Sequence, residues 1–63
     1  MELLKEGSKG QSVRELQRLL RISTDGIFGP GTKKAVIRFQ LGAGLATDGI
    51  VGKDTWTLLR SRG

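Results

Sequence analysis

The stretch TDGIFGPGT at residues 24–32 decides the fold, because the chain contains it twice. Its second copy, TDGIVGKDT at residues 47–55, lies 23 positions later and keeps six of the nine residues. The same spacing relates the segments that precede the two copies, and it carries Gln17 onto Gln40. The chain therefore consists of a helix followed by a Thr-Asp-Gly turn, then the same unit again, then a shorter third helix. Too few units are present for an open solenoid, so we expect three helices that close on one core.

The helix boundaries follow from capping signals and apolar spacing. Ser8 and Gln11 fit a capping box, and the apolar residues behind them, Val13 and Leu16 first, share one helical face, which predicts a helix over about residues 9–20. Gly29-Pro30 and Gly44 are typical of a helix start and a left-handed helix end, which predicts a second helix over about 30–43. A third is expected over about 53–60, after Gly52 and with Asp54 in its first turn. We expect an all-α, compact three-helix bundle, with core positions at Ala35, Val36, Phe39, Trp56 and Leu59, and with Ile27, Phe28, Ile50 and Val51 filling the core from the loops.

Length and composition limit the possible functions. The chain has 63 residues, which predicts a single domain over residues 1–63. The sequence contains no run of 18 apolar residues, the length needed to cross a membrane. The stretch before the first motif lacks the apolar core of a signal peptide. Cysteine and histidine are both missing, so we expect no catalytic residues, no metal site and no cofactor. The small size, the missing cysteine and histidine and the formal net charge of +5 together count against a free-standing enzyme and favour a binding module.

Two aspartates and two glutamines accompany the repeated turns. Asp25 and Asp48 each precede a glycine, which is a turn signal, because aspartate can bond the backbone ahead of it. Gln17 and Gln40 each lie seven residues before the threonine of their turn, so we expect each amide to satisfy backbone groups there. Loop scaffolding and ligand contact both stay open for these residues. An acid/base pair is disfavoured, since each aspartate belongs to its own copy of one turn.

These residues together match a known pattern. It reads GxxGxxVxxLQxxL from residue 7, DGxFGxxTxxAVxxFQ from residue 25 and GLxxDGxVGxxTWxxL from residue 44. The pattern resembles the peptidoglycan-binding domain, type 1, a three-helix module, over about residues 3–59. One departure is the short connection at residues 21–23, where family members often have a longer loop with its own glycine.

The resemblance implies non-catalytic attachment to bacterial peptidoglycan. Such modules are usually fused to a wall-cleaving enzyme, for example an endolysin, an amidase or a transglycosylase, or to a transpeptidase. A fused or associated cell-wall hydrolase domain is therefore the expected partner, and the cell wall or periplasm the expected site of action. An origin as the N-terminal module of a phage lysin is compatible with the absence of a signal peptide. No membrane partner is expected, and we expect a monomer.

The ligand-binding hypothesis places a shallow groove near the two turns, edged by the second and third helices. Helix N-termini and turn backbones there can bind carboxylates. The candidate ligand-binding residues are Asp25, Lys33, Gln40, Trp56 and Arg60. Trp56 could stack on a sugar, but its place in the apolar stripe of the third helix favours burial. Arg14, Arg18 and Arg21 form a basic edge that is either a solvated face or a carboxylate-binding surface.

The sequence disfavours three other classes of function. A basic three-helix domain could bind nucleic acid, but the inter-helix connections are long and no recognition helix stands out. An enzyme would need a nucleophile and a base that the sequence does not offer. A structural interaction protein would leave an apolar stripe uncovered, whereas the stripes here are just sufficient for one core.

Overall fold

Three helices form the fold, as the sequence predicts. The computed structural model describes residues 3–62, and its helices are α1 (Gln11–Leu20), α2 (Pro30–Ala43) and α3 (Lys53–Arg62). Helix α1 packs against both α2 and α3. The two loops between helices correspond residue for residue, so the second half of the molecule repeats the first. None of the helices within residues 3–62 is both long and apolar enough to cross a membrane.

The N-terminal segment lies against both loops. Leu4 pairs with Val51, and each backbone N–H of this pair donates to the other residue's carbonyl, at 3.1 and 2.8 Å. A few residues later, the Phe28 N–H donates to the Ser8 carbonyl at 2.9 Å, and the Gly10 N–H donates to the carbonyl of Gly26 in the first turn at 3.0 Å. These isolated bridges satisfy loop backbone groups that would otherwise need water.

Helix α1 begins two residues later than predicted, and the capping box at Ser8 is wrong. The N-cap is Gly10, which makes no side-chain capping bond. The Ser8 hydroxyl instead accepts a bond from the Lys5 N–H at 3.1 Å. The bridges to the first loop keep the chain extended up to Gly10, whose φ of 119° lies outside the helical region and favours glycine. The backbone bonds between the N-terminal segment and the first loop therefore outweigh the local capping signal of Ser8 and Gln11.

The other helix ends follow the sequence signals more closely. Gly29 is the N-cap of α2 and Pro30 its first residue, as predicted. The carbonyl of Gly52 accepts the Trp56 N–H at 3.0 Å, which places Gly52 at the start of α3. Helix α3 continues to Arg62, two residues beyond the predicted end.

The residues that end α1 and α2 are equivalent in the repeat but differ in type. Gly44 ends α2 with φ 75° and ψ 22°, as its sequence signal predicts. Arg21 ends α1 with φ 60° and ψ 43°, and within residues 3–62 it is the only non-glycine residue with positive φ. An L-residue in this region is less stable than glycine by about 1 kcal/mol. Arg21 therefore occupies a position where the other half of the molecule uses glycine.

The core contains residues from every element. Trp56 and Leu59 are buried as predicted, and Phe39 is only partly buried beside Leu19 and Leu20. From each apolar pair after a turn, only the second residue fills the core, whereas Ile27 is 50% exposed. The alternation follows from the extended backbone of the loop, in which neighbouring side chains point to opposite sides. The fully buried apolar residues are Leu4, Val13, Leu16, Phe28, Val36, Val51, Trp56 and Leu59.

Candidate functional site

The first Thr-Asp-Gly turn is built around the amide of Gln17. This side chain is 1% exposed and reaches from α1 into the loop. Its Nε2 has three acceptors within hydrogen-bond distance, which share its two N–H groups: Asp25 Oδ1 at 2.7 Å, the Ile27 carbonyl at 3.0 Å and Thr32 Oγ1 at 3.1 Å. Its Oε1 accepts the backbone N–H of Gly26 at 2.9 Å. The prediction that the glutamine satisfies its own turn is confirmed.

The second turn repeats this network around Gln40. Gln40 is also 1% exposed, and its Nε2 shares its two N–H groups among Asp48 Oδ1 at 3.1 Å, the Ile50 carbonyl at 2.9 Å and Thr55 Oγ1 at 3.2 Å. Its Oε1 accepts the Gly49 N–H at 3.0 Å. Within residues 3–62, every buried side-chain nitrogen and oxygen has a hydrogen-bond partner. The glutamines therefore act as fixed supports for the two loops.

The two turn aspartates are stabilised in their charged form. The pKa of Asp25 lies below its ordinary value of 3.8, mainly because the carboxylate accepts the Ile27 N–H and then because it accepts the Gln17 amide. The pKa of Asp48 is also lowered, first by the N–H of Ile50 and, more weakly, by the Gln40 amide, against a partial desolvation that raises it. Both carboxylates are exposed and ionised at neutral pH, so they accept hydrogen bonds and do not act as acids.

A groove opens beside each turn, and the two grooves are equivalent. The first-turn groove has a volume of about 470 Å³ and runs from Gln17 past the loop to the start of α2. The second-turn groove has a volume of about 400 Å³ and runs from Gln40 to the start of α3. Each lining residue of one groove corresponds to a lining residue of the other at the 23-residue spacing. The helix starts differ, since Pro30-Gly31 lines the first groove and Lys53-Asp54 the second, so only the second carries charges there.

The five candidate binding residues do not form one site. Asp25 lines the first-turn groove and Gln40 the second, while the other three line neither groove. The Lys33 side chain lies against Gly49, at the second turn, and its Nζ is 3.7 Å from a Glu6 carboxylate oxygen. The groove edged by α2 and α3 is present, but its rim differs from the predicted one.

Trp56 and Arg60 lie together on α3, away from the grooves. The indole is 2% exposed, in agreement with the core interpretation. The guanidinium of Arg60 covers the ring at 5.0 Å from its centre and also contacts a carboxylate oxygen of Glu15 at 3.4 Å. A buried and covered indole offers no open face for a sugar ring.

Comparison with known proteins gives the family. The model of the family described as "Putative peptidoglycan binding domain" matches residues 9–59. The chain belongs to the peptidoglycan-binding domain family. The match extends from the residue before Gly10 to the core residue Leu59, and so includes both turns and both glutamines.

Relatives of this peptidoglycan-binding domain include larger enzymes. A zinc D-Ala-D-Ala carboxypeptidase of Streptomyces albus G is 48% identical in an alignment 61 positions long, which covers 84% of this chain and 24% of that protein. The endolysin of Burkholderia phage AP3 superimposes with a TM-score of 0.88 at 41% identity, over 92% of this chain and 24% of its own. The N-terminal domain of SleB gives a TM-score of 0.92 at 35% identity, over 95% of this chain and 90% of that one. The chain thus spans about a quarter of the carboxypeptidase and of the endolysin, and the domain is a module of wall-active proteins.

Some residues of the peptidoglycan-binding domain's grooves were not identified from the sequence. Thr32 and Thr55 bond the two glutamine amides, and their identity in both copies was the signal that could have revealed this role. Lys53 and Asp54 line the second-turn groove, but they differ from their counterparts in the first copy, so the repeat pattern gave no reason to single them out. Among residues 3–62, no three His, Cys, Asp or Glu side chains come together as a metal site would require.

Acid is expected to destabilise the domain through its turn aspartates. Because their pKa values are lower in the folded chain than in the unfolded one, their stabilising contribution is complete above the unfolded pKa of about 3.9 and is lost as the pH falls through the folded value. The melting temperature should therefore be steady down to about pH 5 and fall below about pH 4. Circular dichroism melts of the wild type and of the Asp25→Asn/Asp48→Asn double variant test this. Asparagine keeps the acceptor oxygen but does not titrate, so an equally steep acid transition in the variant would contradict the assignment.

Proposed function

We propose that this domain binds peptidoglycan without cleaving it, and that it holds an attached wall-active catalytic domain at its insoluble substrate. The observation that supports this most directly is the family match over residues 9–59, in a module that recurs within wall-active enzymes. The proposal covers residues 1–63 as one domain that acts as a monomer at the cell wall, with neither nucleic acid nor membrane as its partner.

Tethering explains why a binding module without a reaction of its own is useful. A catalytic domain that diffuses freely must find the polymer again after each cleavage reaction. A linked module that stays on the polymer raises the local concentration of substrate by a factor set by the linker. Modest affinity of the module is sufficient for this effect, and rapid release lets the enzyme move along the wall.

The second-turn groove is the surface we propose for polymer contact. It combines the charged side chains of Asp48, Lys53 and Asp54 with the apolar Leu45 and Ile50. Peptidoglycan offers hydroxyls, amides and carboxylates, which such a mixed polar and apolar groove can bind.

The candidate residues have different places in this proposal. Gln40 supports the second-turn groove from below, and Trp56 supports the exposed Arg60. Lys33 and Arg60 can reach the polymer directly, because their exposed ion pairs are weak and easily exchanged. Asp25 would contact the polymer from the first-turn groove.

Co-sedimentation with isolated sacculi freed of teichoic acid tests the function. The domain should pellet with sacculi at low salt and still pellet at about 0.5 M salt, where surface charge attraction is screened. Pelleting that disappears at high salt would reduce the interaction to unspecific charge attraction, and no pelleting at either salt would contradict the proposal. Duplex DNA in a parallel titration should give no saturable binding.

Filling the second-turn groove should separate binding from folding. Ala46 is exposed and lines this groove, so Ala46→Trp should occupy much of its volume while the core stays intact. We expect at least about a fivefold loss of sacculus binding, equivalent to about 1 kcal/mol. Leu41→Trp is the matched control, because Leu41 is 70% exposed on α2 and outside both grooves. Equal binding by the two variants would move the contact surface elsewhere.

A further inference from the structure

A third opening, the arginine cleft, lies between the three helices and has a volume of about 380 Å³. Its floor is apolar and includes Leu20, Phe39 and Leu59. Leu20 and Phe39 are only partly buried, so the core of the domain is incompletely covered here. The volume is within the range of small-ligand sites, which begins at about 300 Å³.

Three arginines line this cleft, one at the end of α1 and one each on α2 and α3. They are Arg21, Arg38 and Arg62, and all three residues are exposed. Arg62 lies over the ring of Phe39 at 5.6 Å from its centre. Across residues 3–62, the two ion pairs found use other cations, so no carboxylate in this part of the chain lies within 4 Å of these arginines. Positive charge beside an apolar floor is complementary to an anion that carries a small apolar group.

The backbone of Arg21 gives an independent reason to regard the cleft as functional. This residue holds a positive φ at the position where the other repeat uses Gly44. Glycine would adopt this left-handed conformation with less strain. We therefore attribute the presence of arginine to a role of its side chain. Strained residues that persist are typical of sites in which the side chain has a task.

We propose that the arginine cleft binds the free carboxylate of a short peptide with small apolar side chains, such as the stem peptides of peptidoglycan expose. The inference rests on the proposed function for this choice of occupant. Guanidinium groups grip a carboxylate with two parallel hydrogen bonds, and the floor of Leu20, Phe39 and Leu59 takes the adjacent alkyl groups. A phosphate polymer could pair with the arginines, but its hydrophilic backbone would make no apolar contact with the floor of the cleft. The peptide is therefore the better fit.

The probe is N-acetyl-trialanine with a free carboxylate, compared with the same peptide ending in an amide. Titration into the ¹⁵N-labelled domain should shift the backbone resonances of Arg21, Phe39 and Leu59 in a saturable way. The amide should bind at least about fivefold more weakly, because it lacks the charge-assisted bonds. Equal titration by the two peptides, or shifts caused by glycerol phosphate and not by the free-acid peptide, would overturn the proposal.

Arg21→Gly distinguishes a binding role from a structural one. The variant removes the guanidinium and relieves the positive φ, so its melting temperature should equal or exceed that of the wild type. Binding of the free-acid peptide should nevertheless fall at least about fivefold. Lys5→Ala removes the same charge outside the cleft and should bind like the wild type. Unweakened binding by Arg21→Gly would overturn the proposal.

The outcomes for the cleft and for the whole domain remain separable. A wild-type domain that pellets with sacculi but does not discriminate between the two peptides contradicts the arginine cleft and leaves wall binding standing. A domain that discriminates between the peptides but does not pellet supports the cleft and contradicts the proposed function.

Discussion

Replacing Gln40 by leucine is expected to destabilise the domain by about 3–5 kcal/mol, although the side-chain volume hardly changes. The substitution leaves the Gly49 N–H and the Ile50 carbonyl without their partner at a buried position. Each orphaned group costs about 1–3 kcal/mol, and the Thr55 hydroxyl also loses a partner. A domain of 63 residues has a total stability of roughly 3–9 kcal/mol. The variant should therefore lose at least about a third of the free energy of unfolding.

Urea denaturation followed by circular dichroism measures this effect. Gln11→Leu is the control, because Gln11 is exposed at the start of α1 and its replacement should change stability by no more than about 0.5 kcal/mol. Gln17→Leu should be as harmful as Gln40→Leu, since the first turn has the same four bonds. A Gln40→Leu domain as stable as the control would show that the loop does not depend on the amide.

Trp56→Ala should have an effect of similar size for a different reason. The indole is 2% exposed within the core, and truncating a buried tryptophan to alanine typically costs about 3–5 kcal/mol. The change also removes the ring that Arg60 covers. We expect a large fall in the urea midpoint of the unfolding transition followed by far-ultraviolet circular dichroism. Trp56→Phe keeps much of the packed volume, so it should remain folded.

The alternative role of Trp56 as a sugar platform predicts the opposite pattern. A platform residue would lower sacculus binding on replacement by alanine while the melting temperature stayed unchanged. The wild type offers a second readout, because Trp56 is the sole tryptophan of the chain. Its fluorescence should resist acrylamide quenching in the free domain. Ready quenching would show that the indole is accessible and would return it to the candidate contact surface.

Much of the fold was predictable because the unit of a helix and a Thr-Asp-Gly turn occurs twice in the sequence. A single Thr-Asp-Gly turn is weak information, but two copies with a glutamine at the same distance indicate one structural unit used twice. The bonds from Gln17 and Gln40 to their turns follow from that spacing, as do the two helix starts after Gly29 and Gly52. Repetition removed the ambiguity that a lone motif leaves.

The failures occurred where distant parts of the chain meet. The start of α1 depends on backbone bonds between the N-terminal segment and the first loop, and no local signal at Ser8 reports them. The candidate binding residues were placed around one groove between the second and third helices. Lys33, Trp56 and Arg60 line neither of the two grooves, and their role in binding stays a prediction. The sequence predicts Arg21 as part of a basic edge of the first helix. In the structure it is the C-cap of α1 in a left-handed conformation, which its residue type does not indicate.

The pairing of Leu4 with Val51 also constrains the order in which the chain can fold. A ribosome delivers the N-terminal segment first, yet its backbone partner near the start of α3 is made more than forty residues later. Until Val51 and the core residue Trp56 have left the exit tunnel, α1 and α2 have an unfilled side. Nascent chains of this domain should therefore resist proteases only once the residues up to α3 have emerged from the ribosome, in one late step that closes a long loop.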